Sequence, residues 1–224
     1  MSRSVLFDTE TTGFDPLTGD RVIEIAAIAL ENDLPTGEKF HALLDPERDI
    51  PADSTRVHGI TSAHIEGKPK FADVVDEMLA FFGDAPLIAH NAPFDFNFID
   101  AELRRINRPP LDKARMIDTL VIAKARFPGM PNSLDALCRR FEIDLSARTT
   151  HNALLDCTLL AEVYVELTGG RQRGLTLETE QGLSFAQYER SATRVPRAIV
   201  VDDETLAAHT AFVAGLKDSV WNKE

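Results

Sequence analysis

Asp8 and Glu10 stand two residues apart in the segment Val5-Leu-Phe-Asp-Thr-Glu-Thr-Thr-Gly13. In extended backbone, residues i and i+2 project to the same side, so both carboxylates face one point. Asp95 closes the segment His90-Asn-Ala-Pro-Phe-Asp95, and His151 and Asp156 bracket a third, His151-Asn-Ala-Leu-Leu-Asp156. Five residues of straight helix turn through about 500°, which leaves His151 and Asp156 about 140° apart. The two cooperate only if His151 lies in a loop and Asp156 points inward from the first turns of the helix that follows. Thr149, Thr150 and Asn152 suit loops and caps, which places the helix start between them. Taken singly, each element has a plainer reading: a solvated strand end for Asp8 and Glu10, a dipole-favoured first-turn acid for Asp95.

Taken together, the three segments supply four carboxylates and one imidazole. Gathered without cations, those carboxylates repel one another and take up protons. Two divalent ions remove the conflict, and hard oxygen ligands suit Mg²⁺ or Mn²⁺. A metal pair about 4 Å apart is the standard device for in-line displacement at phosphorus. A neutral histidine beside it takes a proton from the attacking water near pH 7. The chemistry these residues suit is phosphodiester hydrolysis.

The elements that must position them follow from hydrophobic period. Residues 4–7, 22–30 and 40–44 read as three strands separated by turns, an antiparallel meander. Phe71, Val74, Val75, Met78, Leu79 and Phe82 then fall on one helical stripe. Pro86–His90 reads as a buried strand, and Phe96, Ile99, Leu103 and Ile106 as a second helical stripe stopped at Pro109-Pro110. A short strand at 116–117 precedes a helix over about 119–127 with Asp118 as its cap; another helix follows Asn132-Ser133. A helix over about 153–167 ends at Gly169-Gly170. Residues 171–196 lack periodicity and read as a linker, and a last helical segment spans about 204–220, with Asp203 as a candidate cap. Between Arg104 and Arg126 lie seven Lys+Arg against Asp112 and Asp118, either a solvated helix face or a track for a nucleic-acid backbone.

Composition narrows the function classes. The 224 residues are 44 % hydrophobic with a net charge of −12, enough for one well-filled domain with an appendage. Residues 1–168 carry 17 Lys+Arg against 28 Asp+Glu, and residues 169–224 carry 7 against 8. An acidic body disfavours unaided coating of DNA but suits an enzyme that meets phosphates through cations. No apolar run of membrane-spanning length and no leader-like stretch is present, so a soluble cytoplasmic protein is expected. Cys138 and Cys157 are expected to be reduced, buried thiols.

The three segments DTETTG (8–13), HNAPFD (90–95) and HNALLD (151–156), in this order and at these separations, resemble the motifs of the DEDDh family of 3′→5′ exonucleases. VHGIT (57–61), FPGMPNSLDALCRRFEID (127–144) and RTTHNALLDCTLLAEVYVELTGG (148–170) resemble its epsilon branch, the proofreading subunits of bacterial DNA polymerase III. The resemblance covers residues 4–170 and, more loosely, the tail. It implies an α/β, ribonuclease H-like fold: one mixed five-stranded sheet flanked by helices, with a flexible linker and a helical tail. The implied domains are an exonuclease domain (1–170), a linker (171–196) and a polymerase-binding tail (197–224).

Position by position, the resemblance makes Asp8, Glu10, Asp95 and Asp156 ligands of two Mg²⁺ or Mn²⁺ ions, and His151 the general base. It adds Asp53 and His58 to Asp8, Glu10 and Asp156 as contacts to the DNA 3′ end, although Asp53 also reads as a solvated loop acid and His58 as a turn histidine beside Gly59. The remaining histidines (41, 64, 90 and 209) read as structural. Gln172, Leu175 and Leu177 resemble a short sliding-clamp motif. The tail implies docking to the polymerase catalytic (alpha) subunit, with Trp221 as a candidate anchor, and the resemblance admits a small accessory subunit on the catalytic domain. Two rivals stand beside this reading. An RNA-processing relative such as ribonuclease T or oligoribonuclease would not need residues 171–224. An inactive scaffold between clamp and polymerase would not need all five catalytic positions filled.

Overall fold

The computed structural model describes residues 2–146, 148, 150–169 and 200–216. The chain divides between Leu175 and Thr176 into two units, each treated by itself.

The larger unit is built on a five-stranded sheet. β1 (Arg3–Thr11), β2 (Val22–Glu31) and β3 (Leu34–Leu43) form the antiparallel meander. Helices α1 (Ala52–His58), α2 (Ser62–Ile65) and α3 (Phe71–Phe82) lead to β4 (Leu87–Ala89), which pairs parallel to β1. α4 (Ala92–Arg105) leads to β5 (Met116–Asp118), parallel to β4, and α5 (Thr119–Arg126), α6 (Leu134–Arg140) and α7 (Ala153–Leu167) complete the unit. The sheet order is β3-β2-β1-β4-β5, a mixed five-stranded α/β arrangement as expected. β1, β4 and β5 run in the same direction, so their carboxyl ends open on one edge, where α/β folds place their sites.

Alternation along β1 divides the core. Val5 and Phe7 join the cluster built with Phe71, Val75, Met78 and Phe82 of α3 and Phe96, Ile99 and Leu103 of α4. Leu6 joins the opposite cluster with Ala123 of α5, Leu137 and Cys138 of α6, and Cys157, Leu160 and Tyr164 of α7. Helices therefore cover both faces, and the strands are apolar on both sides. Phe7 sits 5.3 Å from the ring of Phe82 and 5.7 Å from that of Phe96, inside the 4.5–7 Å range of favourable aromatic pairs. Both cysteines are free and buried, as their surroundings in the sequence indicate.

Element boundaries differ where capping, not hydrophobicity, decides them. β1 extends to Thr11, so Asp8 and Glu10 lie within the strand and not beyond it. α1 and α2 are too short and too polar to show a stripe, and hydrophobic period misses both. Of the basic residues at 104–126, Arg115 donates to the carbonyls of Ala85 and Phe82, and Arg126 to those of Glu166 and Leu167. Arg108 pairs with Asp76. These three cations tie segments of the fold together.

In the second unit, α8 (Asp203–Ala214) is capped by Asp202, which accepts from Thr205 N at 2.8 Å. This corrects the expected cap by one position: Asp203 is the first helical residue. α8 buries no residue, and Leu206, Phe212 and Leu216 are exposed. The clamp-like motif at Gln172, Leu175 and Leu177, most of the linker, and Trp221 lie outside the described residues. Among the described residues, no helix is long and apolar enough to cross a membrane.

Candidate active site

The carboxylates reach the carboxyl end of β1 from three directions. Asp8 and Glu10 share the strand face of Leu6, toward α7. Thr9 points to the opposite face, where its N–H and hydroxyl both donate to Asp95 Oδ1, at 3.1 and 2.7 Å. Asp95 lies in the first turn of α4, which starts after Asn91 takes the left-handed conformation (φ 67°). Asn91 N donates to Asp118 Oδ1 at 3.0 Å, so the end of β5 fixes that turn.

His151 and Asp156 are arranged as their spacing requires. His151 lies in the loop, Asn152 caps α7 by accepting from Leu155 N at 3.0 Å, and Asp156 sits buried in the first turn. The loop is held by α1: His151 N donates to Val57 O at 3.1 Å. Gly59 ends α1 with φ +74°, and a side chain there would stand 3.5 Å from Thr150 in a backbone conformation that disfavours it. Glu10, Asp156 and His151 each bring one potential ligand atom within 4.8 Å of the others. A cleft of about 340 Å³ opens on the site, bordered by Asp8, His90, Asp135, Arg148, His151 and Asp156.

The electrostatics are those of a site built for cations. Burial, then Asp95, Glu10 and Asp156, hold the Asp8 carboxyl well above its usual range. Burial, then Asp156 and Glu24, push Glu10 up to about 8. Burial pushes Asp95 up to about 7 against the hydrogen bonds from Thr9. Asp156 differs. Burial opposes its charge too, but the hydrogen bonds from Arg148, with His151 close by, outweigh it and hold its pKa below the usual value. Buried carboxylates that resist ionisation for want of a counter-charge, with hard oxygen donors and one imidazole, fit divalent cations of the Mg²⁺ class.

Two residues that sequence reasoning passes over complete the site. Glu24 lies opposite Glu10 in the β1–β2 ladder and is buried. It accepts from Asn152 Nδ2 and from Ala153 N, both at 3.1 Å, and its Oε1 lies 2.7 Å from His41 Nε2. Glu24 thereby fixes the start of α7 against the sheet. Arg148 bonds both oxygens of Asp156, at 2.6 and 2.7 Å. The available signals were a lone acid inside the apolar run 22–30, and a lone cation three residues before His151.

The other candidates fall in different places. His58 is buried at the end of α1, where its Nδ1 accepts from Ile60 N at 3.0 Å. Burial first, and His151 among its neighbours, lower its pKa. Asp53 is on the solvent side of α1, 86 % exposed and paired with Arg56 at 2.7 Å. His90 borders the cleft with its Nδ1 2.9 Å from Thr119 Oγ1.

Residues 5–164 match the exonuclease family RNase_T. The chain is 43 % identical over 222 residues to the DNA polymerase III subunit epsilon of Rickettsia felis, covering 96 % of each chain. It is 49 % identical to the Rickettsia typhi subunit (94 % and 95 % covered) and 39 % identical to that of Escherichia coli K12 (94 % and 92 %). Among solved structures, it is similar to exonuclease X in complex with 5′-overhanging duplex DNA, at a TM-score of 0.59 and 26 % identity, covering 75 % of this chain and 91 % of that one. A zinc-bound exonuclease I–single-stranded DNA complex from E. coli shares the fold at a TM-score of 0.63 and 20 % identity, covering 74 % and 41 %.

Proposed function

We infer the reaction from one premise: the chain belongs to the exonuclease family and, within it, to the epsilon subunits of DNA polymerase III. It is a 3′→5′ DNA exonuclease, and the proposed residue roles are as follows. Asp8, Glu10, Asp95 and Asp156 would hold two divalent ions, Mg²⁺ or Mn²⁺. When bound, the ions would neutralise the scissile phosphate and lower the pKa of the attacking water. His151, half-exposed at the cleft, takes the proton from that water through a ring nitrogen that carries none. The water oxygen bonds to phosphorus, the bond to the penultimate 3′ oxygen breaks, and that oxygen gains a proton from solvent. The products are a nucleoside 5′-monophosphate and a new 3′ hydroxyl. Glu24 and α1 keep His151 at the cleft mouth, and His58 flanks the approaching strand end. The observation that carries this reading is the meeting of Glu10, Asp156 and His151 within 4.8 Å beside carboxylates that burial keeps from ionising.

Mispaired ends would be preferred because a mismatched terminal base costs least to unpair. Residues 1–170 form the catalytic domain in this proposal, 171–196 a linker whose Gln172, Leu175 and Leu177 dock on the sliding clamp, and 197–224 the tail that binds the polymerase catalytic subunit. The exposed Leu206 and Phe212 of α8, with Leu216 just past its end, suit such a partner, since one helix cannot bury its own apolar side chains. Digestion of 3′-mismatched primer–template DNA beside single-stranded RNA, with Mg²⁺ or Mn²⁺, tests the assignment. Release of 5′-mononucleotides from the mismatched DNA is expected. Preference for RNA would replace it with an RNA-processing role.

A further inference from the structure

Arg148 engages two of the proposed working groups at once. Its Nε and Nη2 donate to Oδ1 and Oδ2 of Asp156 at 2.6 and 2.7 Å, and Nη2 also lies 3.0 Å from His151 Nδ1. Its Nη1 donates to Asp135 Oδ1, on the first turn of α6, at 2.6 Å. The arginine side chain is 9 % exposed and that of Asp156 6 %, so these bonds are shielded from water.

A guanidinium has donors only. His151 Nδ1 also lies 3.4 Å from Asp156 Oδ2, longer than a normal N–H···O bond, so the shorter contact sets the tautomer: Nδ1 accepts from the guanidinium, and a neutral His151 carries its proton on Nε2. In this arrangement both oxygens of Asp156 are taken and neither ring nitrogen of His151 has a lone pair free for a water proton. One side chain thus occupies a proposed metal ligand and a proposed base together. It stands where the site lacks positive charge, and it is a cation that counters the repulsion at Glu10. Its third contact offers a way out. The Asp135 side chain is 41 % exposed at the cleft border, so a guanidinium that lets go of Asp156 keeps a carboxylate partner and is not stranded as a buried lone charge.

We propose that Arg148 is a built-in stand-in for the divalent cation: it neutralises Asp156 and occupies His151 in the metal-free protein, and gives up both, while keeping Asp135, when an ion is bound. The proposal rests on the metal-dependent reading above. Because the arginine fork competes with the ion for Asp156, its removal tightens ion binding even though a stabilising contact is lost.

The test is Mn²⁺ titration of the full chain by calorimetry, comparing wild type with Arg148→Gln and Arg148→Lys. Arg148→Gln is expected to bind Mn²⁺ about tenfold more tightly, the order of one charge-assisted bidentate contact. Arg148→Lys keeps the charge, loses the fork, and should fall between the two. If Arg148→Gln does not fold, the lysine variant carries the comparison under the same criterion. Imidazole ¹⁵N resonances give a second readout: the metal-free wild type should show His151 as the Nε2–H tautomer, and added Mg²⁺ or Arg148→Gln should each move its Nδ1 signal. Unchanged or weaker Mn²⁺ binding by a folded variant, or a His151 signal indifferent to Mg²⁺, would make Arg148 a permanent support and overturn the proposal. A wild-type chain that binds no Mn²⁺ would instead defeat the metal-dependent reading itself.

Discussion

Removing a charge from the centre of this site should stabilise the metal-free protein, and Glu10→Gln is the cleanest way to show it. Glu10 is buried and its carboxyl is pushed from 4.5 to about 8, by burial first and then by Asp156 and Glu24. A group whose folded pKa lies above its unfolded value contributes its full stability below the unfolded value and loses it as pH rises through the folded one. For Glu10 that window runs from about pH 4.5 to about pH 8. The whole displacement corresponds to roughly 4–5 kcal/mol at 1.36 kcal/mol per pK unit. The carboxylates share their repulsion, so deleting one charge recovers only part of it, about 2–4 kcal/mol at pH 8 and less than about 1 kcal/mol at pH 5. In a chain of this size that means a melting temperature higher by roughly 5–15 °C at pH 8 in EDTA, with little change at pH 5. With Mg²⁺ the order should narrow or reverse, because the wild type gains a bound cation that the variant has one ligand fewer to hold. Thermal unfolding by circular dichroism in EDTA and in Mg²⁺ at the two pH values measures all four cases. A variant less stable than wild type at pH 8 in EDTA, or a difference independent of pH, would show that Glu10 is not held against its ionisation.

The other expectations concern the base, the scaffold and the tail. His151→Ala should lower turnover at neutral pH by about 10²–10⁴ while leaving Mn²⁺ affinity nearly unchanged; recovery on simple addition of metal would make His151 a ligand instead. Glu102 takes a two-pronged bond from Arg21, at 2.7 and 2.9 Å, and a third from Val22 N at 3.3 Å. Glu102→Ala leaves that partly buried arginine only its longer contact with Glu47, at 3.6 Å, and should cost about 3 kcal/mol, a fall of roughly 6–12 °C in melting temperature; a loss under about 1 kcal/mol would refute a structural role for the pair. Deleting residues 180–224 should spare activity on short single strands and abolish co-purification with the polymerase catalytic subunit. A stable complex of the truncated chain would place the tether elsewhere.

The sheet and its two helical layers were legible because their signal is hydrophobic period, and period survives in a single sequence. Val5 and Phe7 against Leu6, the stripe from Phe71 to Phe82, and the loop-then-helix placement of His151 and Asp156 all follow from geometry local to a few residues. α1 and α2 were not legible. They are seven and four residues long, and much of what they do is to receive another segment: Val57 accepts from His151 N across the fold. The same distance in sequence hides Glu24, whose partners Asn152 and Ala153 lie 128 and 129 residues away. Read locally, an acid in the apolar run 22–30 is only an anomaly. Once α7 is docked it becomes the acceptor that satisfies a buried N–H, and the anomaly is resolved. The motif residues announce the chemistry because a cation site demands carboxylates in number. The residues that aim them, Glu24 and Thr9, announce far less, because a partner supplied from a distant segment leaves at most one odd residue behind and no repeated pattern.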